Sequence, residues 1–207
     1  MEAQNNYIDC KKKTVESYNK NAKELSEKFK ELMDLKRRHE FQRFIDLLHG
    51  NKILDLGCGS GDHSIYFKER GFDVTAIDLS EEMIRLCKEK GLNAFVKDIE
   101  DLDFEDKSFD GIWAVTSLLH IPKSKLHKVI KKLNHILKDG GVLYVCVKEG
   151  EGEKMIKDKS GNTSRFFAFY NEEEIKKLFG DYFILIEHKK VQLKNTVYLE
   201  AFFRKRS

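Results

Sequence analysis

Between residues 14 and 32 the apolar side chains Val15, Tyr18, Ala22, Leu25, Phe29 and Leu32 recur at alternating steps of three and four. That period lays one apolar stripe along a single helix. A second helix follows with Phe41, Phe44, Ile45 and Leu48 on its inner face, and Gly50 is placed to end it. From residue 52 the pattern changes. Short apolar runs at 52–56, 73–77, 93–96, 109–115 and 142–147 read as strands. Between them, helical periodicity covers 64–70, the stretch from Ser80 to Gly91, and 126–137. Ser80 is a helix cap, with Glu81 and Glu82 in the first turn where the helix dipole favours acids.

Strands separated by helices of this length imply right-handed crossovers and a parallel sheet. The last part differs. Asn171 and Glu174 have the spacing of a capping box, opening a short helix. Runs at 182–187 and 196–203 are then joined by so short a polar link that only an antiparallel pair fits. The expected fold is α/β and doubly wound, with three α/β/α layers. Its mostly parallel seven-stranded sheet has an antiparallel last strand. Residues 1–50 are expected to form a helical cap over the ligand site and residues 51–207 the main domain, in one compact unit. The stretch 148–165 is polar, rich in glycine and long for a connection, so a lid or acceptor loop is expected there.

Composition adds limits to this picture. A hydrophobic share of 41% with 35% charged residues is that of a globular chain. Because 38 basic residues nearly cancel 35 acidic ones, the net charge of +3 does not argue for nucleic acid. Cys10, Cys58, Cys87 and Cys146 form no CxxC pair or zinc-ligand spacing, so free thiols and no metal are expected. No apolar run approaches ~18 residues, and the N-terminus lacks the apolar centre of a signal peptide. A soluble cytoplasmic protein with no membrane partner is the expectation.

The chemistry concentrates in Ile53-Leu54-Asp55-Leu56-Gly57-Cys58-Gly59-Ser60-Gly61. Glycines after a strand permit a tight turn and close approach of a ligand, and the helix behind them offers free N–H groups. A dinucleotide fingerprint would need glycine where Asp62 stands, and an acid there repels a pyrophosphate. Asp78 ends the second strand, where an acid accepts from both ribose hydroxyls. Asp98 ends the third, in reach of an adenine amino group, with Ile99 as an apolar contact and Met83 one turn into the next helix as a cover for the ring face.

These segments, in this order, resemble the class I S-adenosylmethionine (SAM)-dependent methyltransferases: LDLGCGSG, AIDLS, VKDIE, FDGIWAVTSLLHI and the LKDGG turn. The resemblance implies that Gly57, Cys58 and Gly59 line the methionine part of SAM, with Asp55 supporting their loop. It implies Asp78 and Leu79 at the ribose and adenine, Asp98 and Ile99 at the adenine edge, and Ala114 and Thr116 lining the pocket after the fourth strand. Tyr18, in SYNKNAKEL, resembles a cofactor-capping position; plain core packing accounts for it equally.

His120 stands at the expected pocket mouth, as a base if its pKa stays near neutral or else as a capping or surface residue. Arg165 and Tyr170, with Phe166, Phe167 and Phe169, read as an acceptor-binding wall or as a loop anchored by aromatics. Lysines 123, 125, 128, 131, 132 and 138 make one helix basic, which reads more simply as a solvated face than as an RNA patch. The function expected is methyl transfer from SAM, leaving S-adenosylhomocysteine, to a small molecule. The alternatives are a tRNA or protein methyltransferase, and a regulatory SAM-binding module without turnover. Neither the acceptor nor the oligomeric state is readable.

Overall fold

The computed structural model describes residues 2–36, 38–158 and 160–206. Its centre is a seven-stranded sheet in the order β3-β2-β1-β4-β5-β9-β8. The strands are β1 (Lys52–Leu56), β2 (Asp73–Asp78), β3 (Asn93–Val96), β4 (Phe109–Val115), β5 (Leu137–Lys148), β8 (Phe183–Leu193) and β9 (Thr196–Lys205). Pairings from β3 through β5 are parallel; β9 runs antiparallel to both of its neighbours. The doubly wound expectation therefore holds, with the last strand reversed.

Alternation along the strands separates two cores, because successive side chains point to opposite faces. Leu54, Leu56, Ile112, Leu143, Val145 and Phe203 share one cluster, which α6 (Lys123–Ile136) and α7 (Glu172–Gly180) cover with Leu126, Ile130, Leu133 and Phe179. Ile53, Trp113, Val142, Tyr144 and Phe202 share the other, under Phe41 and Phe44 of α3 (Arg38–Leu47) and Phe67 of α4 (Asp62–Lys68). Trp113 is stacked between Phe41 and Tyr144, at centroid distances of 4.8 and 4.1 Å, and its indole N–H donates to His63 Nδ1 at 2.9 Å. On this same face α5 (Glu81–Glu89) sets Ile84 and Cys87 against Ala76 and Ala94. Ser80 caps it, accepting from the Met83 N–H.

Three expectations change. The single N-terminal helix is two, α1 (Glu2–Lys20) and α2 (Ala22–Lys36), broken at Asn21. The Asn21 side-chain amide donates to the Ser17 carbonyl and so competes with the helical ladder there. The buried line of α1 is Tyr7, Thr14 and Ser17 rather than the stripe through Val15 and Tyr18, and Phe29 and Leu32 lie outside the described side chains. Second, Gly50 is not a left-handed helix cap. A side chain there would collide with the Asp110 carboxyl, 2.3 Å from the position of a Cβ.

The third change matters most for the site. The segment expected as a loop is a hairpin, β6 (Glu153–Lys157) paired antiparallel with β7 (Ser164–Ala168). Phe166, Phe167 and Ala168 are buried in the larger core. The hairpin and α1 are sewn together by polar atoms. The Phe166 N–H donates to Thr14 Oγ1 at 2.9 Å. Thr163 Oγ1 meets Ser17 Oγ at 2.9 Å and accepts from Asn21 Nδ2 at 3.1 Å. These partners explain why α1 buries a threonine and a serine.

Candidate functional site

The loops at the carboxyl ends of β1, β2, β3 and β4 surround one cavity, roofed by α1. This is the edge of an open α/β sheet where ligands bind. Gly57, Gly59 and Gly61 all have positive φ, at 74, 53 and 81°. The Gly57 and Cys58 N–H groups donate to the Ile77 carbonyl at 2.8 and 2.9 Å, which fixes the glycine turn against β2. Ser117, from the other side, leaves no room at Gly57: a Cβ there would lie 2.4 Å from the Ser117 Cβ.

Asp78 is held by two backbone donors, the Gly59 N–H on Oδ2 at 3.0 Å and the Ser80 N–H on Oδ1 at 2.9 Å. Each oxygen keeps acceptor capacity for a ligand hydroxyl. Burial raises the pKa of Asp78, and the Ser80, Gly59 and Leu79 N–H groups oppose that shift. Asp98 accepts from the Glu100 N–H at 2.9 Å and from Lys11 of α1, a partner that sequence reasoning missed. Lys11 also reaches Glu100, as does the Tyr7 hydroxyl at 2.6 Å. With Asn19 accepting from Ser80 Oγ at 2.6 Å, α1 is tied to the loops after β2 and β3 as well as to the hairpin.

Asp55 is buried under the glycine turn, where Ser64 Oγ donates to it at 2.6 Å. Its pKa is pushed up to about 7, first by burial and then by the Asp78 and Asp62 charges, against the Ser64 hydrogen bond. A raised carboxyl binds its proton more tightly folded than unfolded. The stability it supports is full below its unfolded pKa near 3.8 and is lost as pH rises toward about 7. Removing that charge is worth on the order of a few kcal/mol at alkaline pH. The ligand-free Asp55→Asn variant is therefore expected to melt increasingly above the wild type from pH 5 to pH 8. Parallel pH profiles of the two melting temperatures would contradict the assignment.

Tyr18 and His120 meet at the cavity wall. Their Oη and Nε2 atoms are 2.8 Å apart, and His120 Nδ1 lies 2.6 Å from the Phe166 carbonyl. A carbonyl only accepts, so Nδ1 carries the hydrogen and Nε2 accepts from Tyr18. Burial, with the Arg165 and Lys148 charges adding to it, pushes the His120 pKa down to about 3 against the Phe166 hydrogen bond. The condition under which His120 would act as a base, a pKa near neutral, is therefore not met here.

Thr116 closes this wall with φ of 51°, a left-handed conformation that β-branched residues rarely adopt, of the kind found where function constrains the chain. Beside it the buried Ser117 Oγ lines the cavity with no hydrogen-bond partner among the described residues.

The cavity thus brings together Tyr18, Asp55, Gly57, Cys58, Gly59 and Asp78. Leu79, Asp98, Ile99, Thr116 and His120 line it too. Four expected residues lie elsewhere. Met83 packs beneath the N-terminal helices with Ala22 and Leu25, because the Ser80 cap turns its helix face inward. Ala114 points into the larger core with Leu56 and Val145. Tyr170 is buried in that same core beneath Lys123, so it forms no acceptor wall. Arg165 stands one layer back, its guanidinium 5.1 Å from the centroid of the Tyr18 ring.

Comparison with known proteins agrees with this geometry. Residues 53–141 match the family described as a methyltransferase domain. The chain is 37% identical over 101 residues to the sarcosine/dimethylglycine N-methyltransferase of Aphanothece halophytica, over 44% of this chain and 36% of that one. It is 36% identical over 105 residues to the ubiquinone biosynthesis O-methyltransferase of Xylella fastidiosa, over 47% and 42% of the two chains. These matches span less than half the length of either relative. A SAM-dependent methyltransferase structure from Methanosarcina mazei superposes with a TM-score of 0.71 at 26% identity, over 78% of this chain and 95% of that one.

Proposed function

We propose that this protein transfers the methyl group of SAM to a small-molecule acceptor; the match of residues 53–141 to a methyltransferase domain and the likeness to a SAM-dependent methyltransferase structure support this reading. The observation that carries the reading is the Asp78 carboxylate, anchored by backbone N–H groups and facing the cavity with acceptor capacity left for a ligand hydroxyl. The cradle fits the cofactor in other respects. Gly57 has no room for a side chain against Ser117, so the turn presents bare backbone, and Ser117 Oγ offers a ligand a polar atom that is unmatched among the described residues. When bound, SAM supplies a methyl group activated by its sulfonium.

The residues of this chain position the partners and keep water out. Asp78 holds the ribose and Asp98 the adenine edge, with Lys11 shifting or sharing its contact as the base arrives. The glycine turn lies along the methionine part, and α1 closes over the bound ligand through Tyr18. In-line displacement asks mainly for alignment and exclusion of solvent, which the α1–hairpin roof supplies.

A small acceptor is favoured over RNA because four of the six lysines of the basic stretch are already paired with acids. Lys123 pairs with Glu174 at 2.5 Å, Lys125 with Glu100 at 3.5 Å, Lys132 with Asp101 at 3.5 Å and Lys138 with Asp110 at 2.9 Å. Two of the relatives are named for N- and O-methylation of small molecules, which points the same way. The test is calorimetric titration with S-adenosylhomocysteine, with NADH as control. Binding of one S-adenosylhomocysteine per chain and no NADH is the expected result; the reverse would make the glycine turn a dinucleotide site and end this reading.

A further inference from the structure

Two cations meet over one aromatic ring beside the cavity. Lys148 Nζ, at the end of β5, lies 4.0 Å from the centroid of Phe167, and the Arg165 guanidinium carbon lies 5.5 Å from the same centroid. Arg165 also faces the Tyr18 ring, whose hydroxyl reaches His120. The Phe167 and His120 rings are 4.9 Å apart. Lys148 and Arg165 thus gather at Phe167, next to the Tyr18–His120 pair that lines the cavity.

Among the described residues neither Lys148 nor Arg165 has a carboxylate within salt-bridge distance. Nearby acids are occupied. Glu149 is held by Lys190 at 2.5 Å, and Glu153 accepts from the Lys123 N–H at 2.6 Å. Partial burial, with the Arg165 and Lys28 charges, pushes the Lys148 pKa down to about 8. Like charges gathered in a half-buried place without a counter-charge destabilise one another, and an anion there relieves the strain. The planar fork of an arginine beside the point charge of a lysine matches the oxygens of a carboxylate or phosphate.

We propose that Lys148 and Arg165, which both reach Phe167, form a subsite for an oxyanionic group of the acceptor, a carboxylate or a phosphate, and so select small organic anions as substrates. This rests on the methyl-transfer reading above, since it is that reading that makes the bound anion an acceptor. The subsite would hold the acceptor's charged end while its nucleophilic atom faces the wall formed by Thr116, Ser117 and Tyr18. An anion there also offsets the cations that weaken His120 as a hydrogen-bond acceptor.

The test follows thermal unfolding of the protein with its S-adenosylhomocysteine, at constant ionic strength. Sodium benzoate, benzamide and inorganic phosphate serve as probes. Benzoate or phosphate is expected to raise the melting temperature by a few degrees where benzamide does not. Whichever anion gives the larger shift identifies the carboxylate or phosphate class. Lys148→Met and Arg165→Gln should each diminish the shift and together remove it, without loss of S-adenosylhomocysteine affinity. Arg165→Lys, which keeps the charge without the fork, should retain part of it and tests the subsite if a neutral variant fails to fold. Equal shifts from benzamide and benzoate, or an undiminished shift in the double variant, would overturn the proposal. Anion binding that survives while S-adenosylhomocysteine fails to bind would uphold the subsite and count against the methyl-transfer reading.

Discussion

Asp78→Ala is expected to weaken S-adenosylhomocysteine binding by roughly a hundredfold or more. A hydrogen bond to a charged group contributes about 1.5–3 kcal/mol, and the ribose offers this carboxylate two. Each ~1.4 kcal/mol is tenfold in affinity, so the loss exceeds two decades. The substitution also frees the Gly59 and Ser80 N–H groups, which now have Asp78 as acceptor at 3.0 and 2.9 Å. Ser80→Ala separates the two contributions. It removes the α5 cap, which accepts from Met83, but leaves the Asp78 carboxylate in place. Calorimetry should therefore find Ser80→Ala near wild-type affinity with a lower melting temperature. Affinity preserved in Asp78→Ala would remove the ribose from this site.

Gly57→Ala should abolish cofactor binding for a different reason. Its φ of 74° costs an L-residue about 1–2 kcal/mol. Its new methyl would stand 2.4 Å from the Ser117 Cβ, short of any real contact. Overpacking of that kind costs about 1–3 kcal/mol more and forces β1 and the end of β4 apart. Gly71→Ala is the matched control. Its φ of 85° is equally left-handed, but no atom lies within 4 Å of the added carbon. The expected outcome is a modest loss of stability in Gly71→Ala with normal S-adenosylhomocysteine binding, and no detectable binding in Gly57→Ala. Similar behaviour of the two variants would mean that strain alone, and not the contact with Ser117, sets the loop.

Much of the sheet was legible because burial on two faces gives continuous apolar runs such as Val142–Val147, and glycines punctuate the ends. The glycine turn, Asp78 and Asp98 were legible because topology alone carries strand ends to one edge. The hairpin was not, since its outward residues are polar and Phe166, Phe167 and Ala168 are buried consecutively instead of alternating. Lys148 is hidden for a related reason: it opens a polar, glycine-rich run in sequence, yet in the fold it ends β5. Lys11 and Thr14 escaped because they contact residues more than eighty positions away, Asp98 and Phe166, and no local pattern records that. Ser117 carries no signal in sequence; its importance comes from Gly57 lying against it. Met83 and Ala114 show the opposite error: each has the right place in the chain and the wrong side of its element.

The position of β9 between β5 and β8 has a consequence for how the molecule is assembled. Among the described residues β8 has no strand neighbour except β9, so it belongs to the sheet only once β9 has paired with β5. Until then β5 offers an unpaired edge whose run from Val142 to Val147 is apolar and uncharged, the composition that recruits other chains into cross-strand aggregates. The turn at Lys194, with its φ of 53°, therefore governs more than local geometry. A turn that closes readily brings β9 to β5 sooner and shortens the time nascent molecules remain open to one another, so Lys194→Gly, which relieves the positive φ, is expected to raise soluble yield.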